Sequence, residues 1–189
     1  TKPFNRMPKI IATKEDWIEL GYKQFSEKGI SGIVIESMAK KLKVNKSSFY
    51  WHFTTKKVFI QSIIEFWETA NTSRIISLVQ NEKIPLDKLE ILIELSFLKD
   101  NEIDFFFHLK KYAKSSKALT NKIEELDNQR LEFTANILQE LGYSKSDSKI
   151  KSSIFYKYLI GYHEMIRYRK QNADYLTHVK SELIHFIEF

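Results

Sequence analysis

Cysteine is absent from the 189 residues. That excludes disulfides, thiolate nucleophiles and cysteine metal sites together. Proline and glycine are scarce, at 3 and 5 residues. Turn-rich β architectures need many more of both, so an all-α fold is expected. No apolar run approaches the roughly 18 residues needed to cross a bilayer, and no membrane association is expected. The opening stretch "TKPFNRMPKIIATKEDW" has no apolar core of signal-peptide length, and the expectation is a cytoplasmic protein. Catalytic signatures are missing too: there is no glycine-rich phosphate loop, no G-x-S-x-G elbow and no H-E-x-x-H. Carboxylate pairs such as Glu124 and Glu125 sit on ordinary amphipathic helices, and an enzyme is not expected. His108, His163, His178 and His185 are scattered without metal-ligand spacing. Neither a metal nor a cofactor is called for.

What is present is apolar mass and unevenly placed charge. Hydrophobic residues make up 43% of the chain, enough for a packed core. The net charge is +6. Residues 1–56 hold eleven basic and five acidic side chains, and residues 57–189 hold nineteen of each. The whole excess therefore sits in the first third. Such a patch suits a polyanionic partner; the alternative is a solubility feature only.

Helix signals divide the chain the same way. Thr13 is a candidate N-cap, with Glu15 and Asp16 in the first turn. Trp17, Ile18, Gly21 and Phe25 recur at helical spacing, and Gly29 is a candidate stop. Ser31 is a candidate cap near the second helix, which is expected over 35–42. A third is expected to start at the N-cap Asn45 and end near His52. Thr54 or Thr55 starts a fourth, with Val58, Phe59, Ile63, Phe66 and Trp67 on its apolar face. Longer helices are expected over 69–81, 86–99, 102–114, 117–141, 146–171 and 174–188, with Gly142 as a stop and Ser146 as an N-cap. The expected organisation is a compact basic head at 1–56 and a neutral helical body at 57–189.

The stretch "AKKLKVNKSSFYWHF" in the head crowds aromatic rings directly after lysines. Ala39, Val44 and Phe49 are spaced by five and five. That suits a small residue at a helix crossing, an apolar residue in a turn and an anchor in the next helix, which is helix-turn-helix packing. Phe49 and Phe53, four apart, should face the core, leaving Tyr50, Lys46, Ser47 and Ser48 outward. The first turn of such a helix reaches base edges, and Tyr50 and His52 can donate to phosphates. Trp51 is expected in interhelical packing and Glu36 on a solvated face.

The segment "GISGIVIESMAKKLKVNKSSFYWHFTTKKVFIQSI", with "WIELGYKQFSEKG" before it, resembles the N-terminal domain of the tetracycline-repressor (TetR) family. The resemblance covers about residues 13–67 and rests on Met38-Ala39, the Lys43-Val44 turn, Asn45 to Ser48, the Phe49-Tyr50-Trp51-His52-Phe53 run and Lys56. Two positions depart from the family pattern: Val34 replaces a capping Thr, and Lys43 replaces the turn Gly. By resemblance the DNA surface comprises Lys43, Asn45, Lys46, Ser47, Ser48, Tyr50, His52 and Lys56. For His52 the alternative is a packing role.

The resemblance also implies a homodimer whose body encloses a small-molecule site. The expected dimer surface is 146–188, with apolar stripes at Ile154, Phe155, Tyr158, Leu159, Tyr162, Met165 and Ile166, and at Leu176, Val179, Leu183, Phe186 and Ile187. Gly161 would allow close approach. "DFFFHLKKY" at 104–112 cannot place three phenylalanines on one helical face. Trp67, Phe97, Phe105, Phe106, His108, Tyr112 and Tyr156 are the candidate lining of an apolar or aromatic ligand site; the alternative is plain core. The expected function is a transcriptional repressor released from a palindromic operator by that ligand. A ligand-independent architectural or adaptor DNA-binding protein of the same fold is the alternative, distinguished by a filled body in place of a cavity above roughly 300 Å³.

Overall fold

A computed structural model describes residues 12–98, 102–167 and 169–187. The N-terminal stretch with Lys2, Arg6 and Lys9, and the reading made of it, lies outside the described residues. Ten α-helices and no strand occur among the described residues.

The head is built by local signals. α1 (Lys14–Lys28) begins with a capping box: Asp16 N–H donates to Thr13 Oγ1 at 3.1 Å, and Thr13 N–H donates to the Asp16 carboxylate at 2.7 Å. These bonds hold the exposed Asp16 carboxyl below the usual carboxylate range. Gly29 ends α1 at φ 62, and a single 3₁₀ turn follows over Gly29–Gly32. α2 spans Ile35–Lys41 and α3 spans Ser47–His52. The turn between them places Lys43 at φ 57, with Val44 N–H donating to Ala39 O at 3.0 Å. A non-glycine residue in this left-handed region costs roughly 1–2 kcal/mol.

Three caps differ from expectation. Ser31 does not cap α2; its hydroxyl donates to Lys28 O at 2.7 Å, and α2 has no side-chain cap. Asn45 does not cap α3 through its side chain. Its carbonyl accepts from Ser48 N–H at 2.9 Å, a tight turn that delays the helix to Ser47. Ser144, not Ser146, caps the ninth helix by accepting from Asp147 N–H at 3.0 Å. Only the ninth helix takes a hydroxyl cap, and there Ser144 is chosen over Ser146; α2 and α3 start without a side-chain cap.

α4 (Lys56–Glu68) is capped by Thr55 and does not stop where a separate helix was expected. It continues through a π turn at Thr69–Ser73 into α5 (Arg74–Gln80). The body follows with α6 (Pro85–Phe97), α7 (Glu102–Ala113), α8 (Lys117–Glu140), α9 (Lys145–Ile166) and α10 (Tyr175–Leu183). Gly142, at φ 100, turns the chain between α8 and α9, which pack along each other.

Two apolar clusters hold the molecule. One joins Trp17, Phe25, Met38, Phe49 and Phe53 of the head to Phe59, Ile63, Trp67, Phe105, Phe106 and Leu126. The other joins Val79, Leu89, Ile93, Phe97, Leu138 and Phe155 to Val179, Leu183 and Ile187. Head and body meet along α1 and α7. Phe105 packs against Phe25 with ring centroids 4.8 Å apart and stacks on Trp67 at 5.2 Å. A Cβ at Gly29 would lie 2.7 Å from His108 Nδ1, so only glycine lets α7 approach this closely. Burial holds the His108 imidazole below its ordinary pKa, favouring the neutral ring at this seam.

Candidate nucleic-acid interface and body cavity

α3 is two-sided. Phe49 and Phe53 are buried, and their rings pack on Trp17 and Phe59 at centroid distances of 4.7–5.3 Å. That packing fixes the helix's rotation and turns the opposite side to solvent. Tyr50 is 55% exposed and Trp51 85% exposed. The expected interhelical packing of Trp51 is thus overturned: its position, two residues after Phe49, points away from the anchored face.

The other sequence-designated head residues are placed as follows. Lys43, Asn45, Lys46, Ser47 and Lys56 are exposed. Lys46 Nζ pairs with Glu36 at 2.8 Å, so Glu36 is exposed but engaged. The pair raises the Lys46 pKa and lowers that of Glu36, in both cases chiefly through their hydrogen bond. Ser48 is half-buried, and its hydroxyl accepts from the Trp17 indole at 3.4 Å. His52 is half-buried and its Nε2 donates to Ala12 O at 2.8 Å, tying α3 to the chain before α1. Lys56 stands at the capped start of α4, where free backbone N–H groups and the helix dipole favour an anion. These exposed side chains supply cations and hydrogen-bond donors, the chemistry that phosphates require.

The body contains a cavity of about 210 Å³ between α4, the π turn, α5, α6, α7, α8 and α9. Of the seven residues designated from sequence, Trp67, Phe106 and Tyr156 line it. Phe97, Phe105, His108 and Tyr112 do not. Phe97 is buried in the second cluster, Phe105 lies in the head–body seam, and His108 and Tyr112 pack edge-on against Phe25. Three successive phenylalanines on α7 do diverge: Phe105 faces the head, Phe106 lines the cavity while nearly buried, and Phe107 lines it while 43% exposed. Tyr156 donates to the Asp127 carboxylate at 2.6 Å, and burial pushes its phenol up to about 12, so it remains a donor at neutral pH.

The polar residues of the cavity escaped sequence reasoning. Arg130 on α8 donates to Thr72 Oγ1 from Nε at 3.2 Å and from Nη2 at 2.7 Å. Its guanidinium lies over the Trp67 and Phe106 rings at 5.5 and 5.1 Å. Trp67 Nε1 and Asn71 Nδ2 are buried donors without a hydrogen-bond partner, a state that costs about 1–3 kcal/mol each. His163 donates to Ser96 O at 2.7 Å. One signal for Arg130 was present: it follows Ile123 and Leu126 and precedes Phe133 and Ile137 on the buried face of α8. A cation at an apolar-face position marks a special environment.

The last two helices split the expected apolar stripes. Val179, Leu183 and Ile187 are buried in the chain's own body, as is Phe155, because α10 is needed to close the second cluster. Ile150, Ile154 and Met165 of α9 are exposed, Met165 at 74%, and a Cβ at Gly161 would meet open space. These four positions fall on one side of α9. Among the described residues, no group of His, Asp and Glu could hold a metal ion, and no helix is long and apolar enough to cross a membrane.

With this geometry in view, comparison with known proteins is direct. Residues 18–63 match the family model for bacterial regulatory proteins of the tetR family. The nucleoid occlusion factor SlmA of Vibrio atlanticus is 30% identical over 95 residues, covering 50% of this chain and 45% of that protein. The chain thus spans less than half the length of the nucleoid occlusion factors it matches. The HTH-type negative regulator of the biofilm operon icaADBC, IcaR of Staphylococcus aureus, is 27% identical over 144 residues, covering 73% of this chain and 72% of that protein. A transcriptional regulator of the TerR/AcrR family from Aquifex aeolicus superposes with a TM-score of 0.62 at 26% identity, covering 91% of this chain and 95% of that one. The matched segment includes the α2–α3 pair with its left-handed turn and two-sided α3: residues 18–63 carry the head of the tetR family of bacterial regulatory proteins, and the likeness in fold to such a regulator extends over the body.

Proposed function

We propose that the protein is a DNA-binding transcriptional regulator, a repressor that leaves a palindromic operator when a small molecule enters its body. The observation that carries this is the orientation of α3. Its apolar side is locked into the head core, and Lys46, Ser47 and Tyr50 stand outside. On this reading residues 1–56 form the DNA-binding head and residues 57–189 the effector-binding and dimerisation body. Lys43, Asn45, Lys46, Ser47, Ser48, Tyr50, His52 and Lys56 make the DNA surface. Ser48 and His52 act partly by fixing α3, given their bonds to Trp17 and Ala12.

One recognition helix reads only a few base pairs, so the operator requires two heads about 34 Å apart. The exposed stripe of Ile150, Ile154, Gly161 and Met165 on α9 supplies the contact between two copies. Effector control requires unequal binding to the DNA-competent and incompetent shapes, with a typical coupling of about 1–3 kcal/mol. The route runs through α4. It starts in the head beside α3 and continues, through the π turn, into the cavity wall.

The second reading is the ligand-independent architectural DNA binder. The matches to nucleoid occlusion factors favour it. The body is neither packed solid, as an adaptor would have it, nor hollowed beyond the roughly 300 Å³ that would favour a sensor. At about 210 Å³ the space lies below the roughly 300–1,000 Å³ of drug-sized pockets, so the effector is small.

Selection of bound fragments from random duplex DNA tests the core claim. A two-fold symmetric consensus, with affinity falling steeply as salt rises, is expected. Failure to retain any duplex above background at low salt would remove the regulatory reading. Ile154→Glu is expected to yield monomers by light scattering and to weaken binding to the symmetric site by about tenfold or more, while half-site binding persists.

A further inference from the structure

Polar groups reach the cavity from several helices, and one cluster is in direct contact: Arg130 of α8 bonds to Thr72 in the π turn of Thr69–Ser73 and lies over Trp67, with Asn71 in the same turn. Ile75, Leu92, Phe133 and Leu159 supply apolar lining. The charged residues at the cavity are not equivalent. Arg167 is held by Asp104 at 2.7 Å and Glu164 at 2.6 Å, and Lys110 lies 3.7 Å from the Asp127 carboxylate. Arg130 has no ion pair to a carboxylate among the described residues. Its hydrogen bonds go to the Thr72 hydroxyl and to that of Tyr156, which Asp127 also holds, and two aromatic faces flank it.

A half-buried guanidinium without a counter-ion is an expensive feature for a protein interior. Its five N–H groups suit the two oxygens of a carboxylate. Only two of its nitrogens are engaged by Thr72. The unmet donors of Trp67 and Asn71, in the same wall, accept no cation and would be satisfied by acceptor oxygens. Glu164 makes the Arg167 end of the cavity less welcoming to an anion.

We infer that the cavity takes a small monocarboxylate, with its carboxylate on Arg130 beside the π turn and a short apolar tail against Ile75, Leu92 and Phe133. This rests on the reading of the cavity as the effector site. One uncompensated cation matches one negative charge, and the limited volume restricts the tail to a short alkyl chain or a single ring. A cationic ligand would meet Arg130 directly. A neutral amide of the same shape would fill the cavity but leave the guanidinium without a counter-charge.

Calorimetric titration of the full chain tests this, using butanoate, hexanoate, octanoate and phenylacetate, their primary amides, and hexyltrimethylammonium at matched ionic strength. At least one acid is expected to bind roughly tenfold or more tightly than its amide, with no binding of the ammonium ion. Arg130→Gln should abolish that preference and leave amide affinity within about threefold. Should that variant fail to fold, Thr72→Val, which frees the guanidinium from its anchor, is read instead and should weaken the acid severalfold. Equal affinity of acid and amide, preference for the ammonium ion, binding by none of the probes, or an unchanged preference in the folded variant overturns the inference. A gel-shift with the selected duplex separates this from the effector reading. An acid that binds while the DNA complex persists supports the carboxylate site and overturns release by ligand. Release by an amide alone keeps the effector reading and overturns the carboxylate.

Discussion

The head and the body solve opposite packing problems. The head closes its interior with rings set edge to face: Trp17 on Phe49 at 68° and Phe49 on Phe59 at 89°. Its outward-facing chemistry is in Lys43, Tyr50, Trp51, Lys56 and the Glu36-paired Lys46. The body is neutral outside and leaves its interior unfinished, with a cavity, two unmet donors and a cation without a carboxylate. On the proposed reading, a surface that reads a rigid polyanion must be held still, which full packing does, and a body that answers a small molecule must leave room for it. The two regions share one layer of aromatic rings: Phe25, Phe105, Trp67 and Phe106 run from α1 to Arg130 in successive contacts. A contiguous packed path of this kind is a physical route for coupling between the regions.

The largest expected effect sharpens the contrast in packing. Phe49→Ala removes a fully buried ring from the head, and a loss of about 3–5 kcal/mol in urea unfolding is expected. Ile75→Ala, at the half-buried wall of the cavity, should cost less, because that side chain already borders empty space. Similar losses from both would erase the distinction.

At the seam, Gly29→Ala adds a Cβ 2.7 Å from His108 Nδ1 at a positive φ. Strain plus overpacking should cost about 1–3 kcal/mol. His108→Ala in the same chain should recover the overpacking part, and an additive double mutant would show that the two residues do not press on one another.

Charge separates the regions more gently. Lys46→Ala should lower the slope of log affinity against log salt by about one unit, uniformly across sequences. Lys122→Ala, which breaks a body ion pair to Glu68, should leave that slope unchanged. A shared response would mean that charge outside the head contacts DNA.

The smallest effect concerns alkaline pH. The buried phenol of Tyr156 is pushed up to about 12, chiefly by burial, from an ordinary value near 10. Its folded-state pKa is raised, so its contribution to stability is complete below pH ~10 and is lost as pH rises toward 12. Tyr156→Phe should flatten the alkaline limb of stability measured against pH, and the head variants should not.

Much of the head was legible in the residues because its determinants are local. The Thr13–Asp16 capping box, the Lys43 turn and the Phe49/Phe53 spacing each act within four residues. Trp51 was misplaced because an aromatic is expected inside, and only the anchored rotation of α3 shows that its position points out. In the body, helix extents were readable but partners were not. Four designated aromatics pack away from the cavity, and the stripe on α10 closes its own core.

What the residues alone determined is therefore the all-α class, the helix boundaries to within a few positions, and the two-sided recognition helix, since periodicity, caps and steric limits on φ work over one or two turns. What only the tertiary structure decided is which groups meet across the body. Thr72 and Arg130 are 58 residues apart and share one hydrogen-bonded wall. That meeting depends on how α4, with its π turn, lies against α8, and no local pattern encodes the angle at which two distant helices cross.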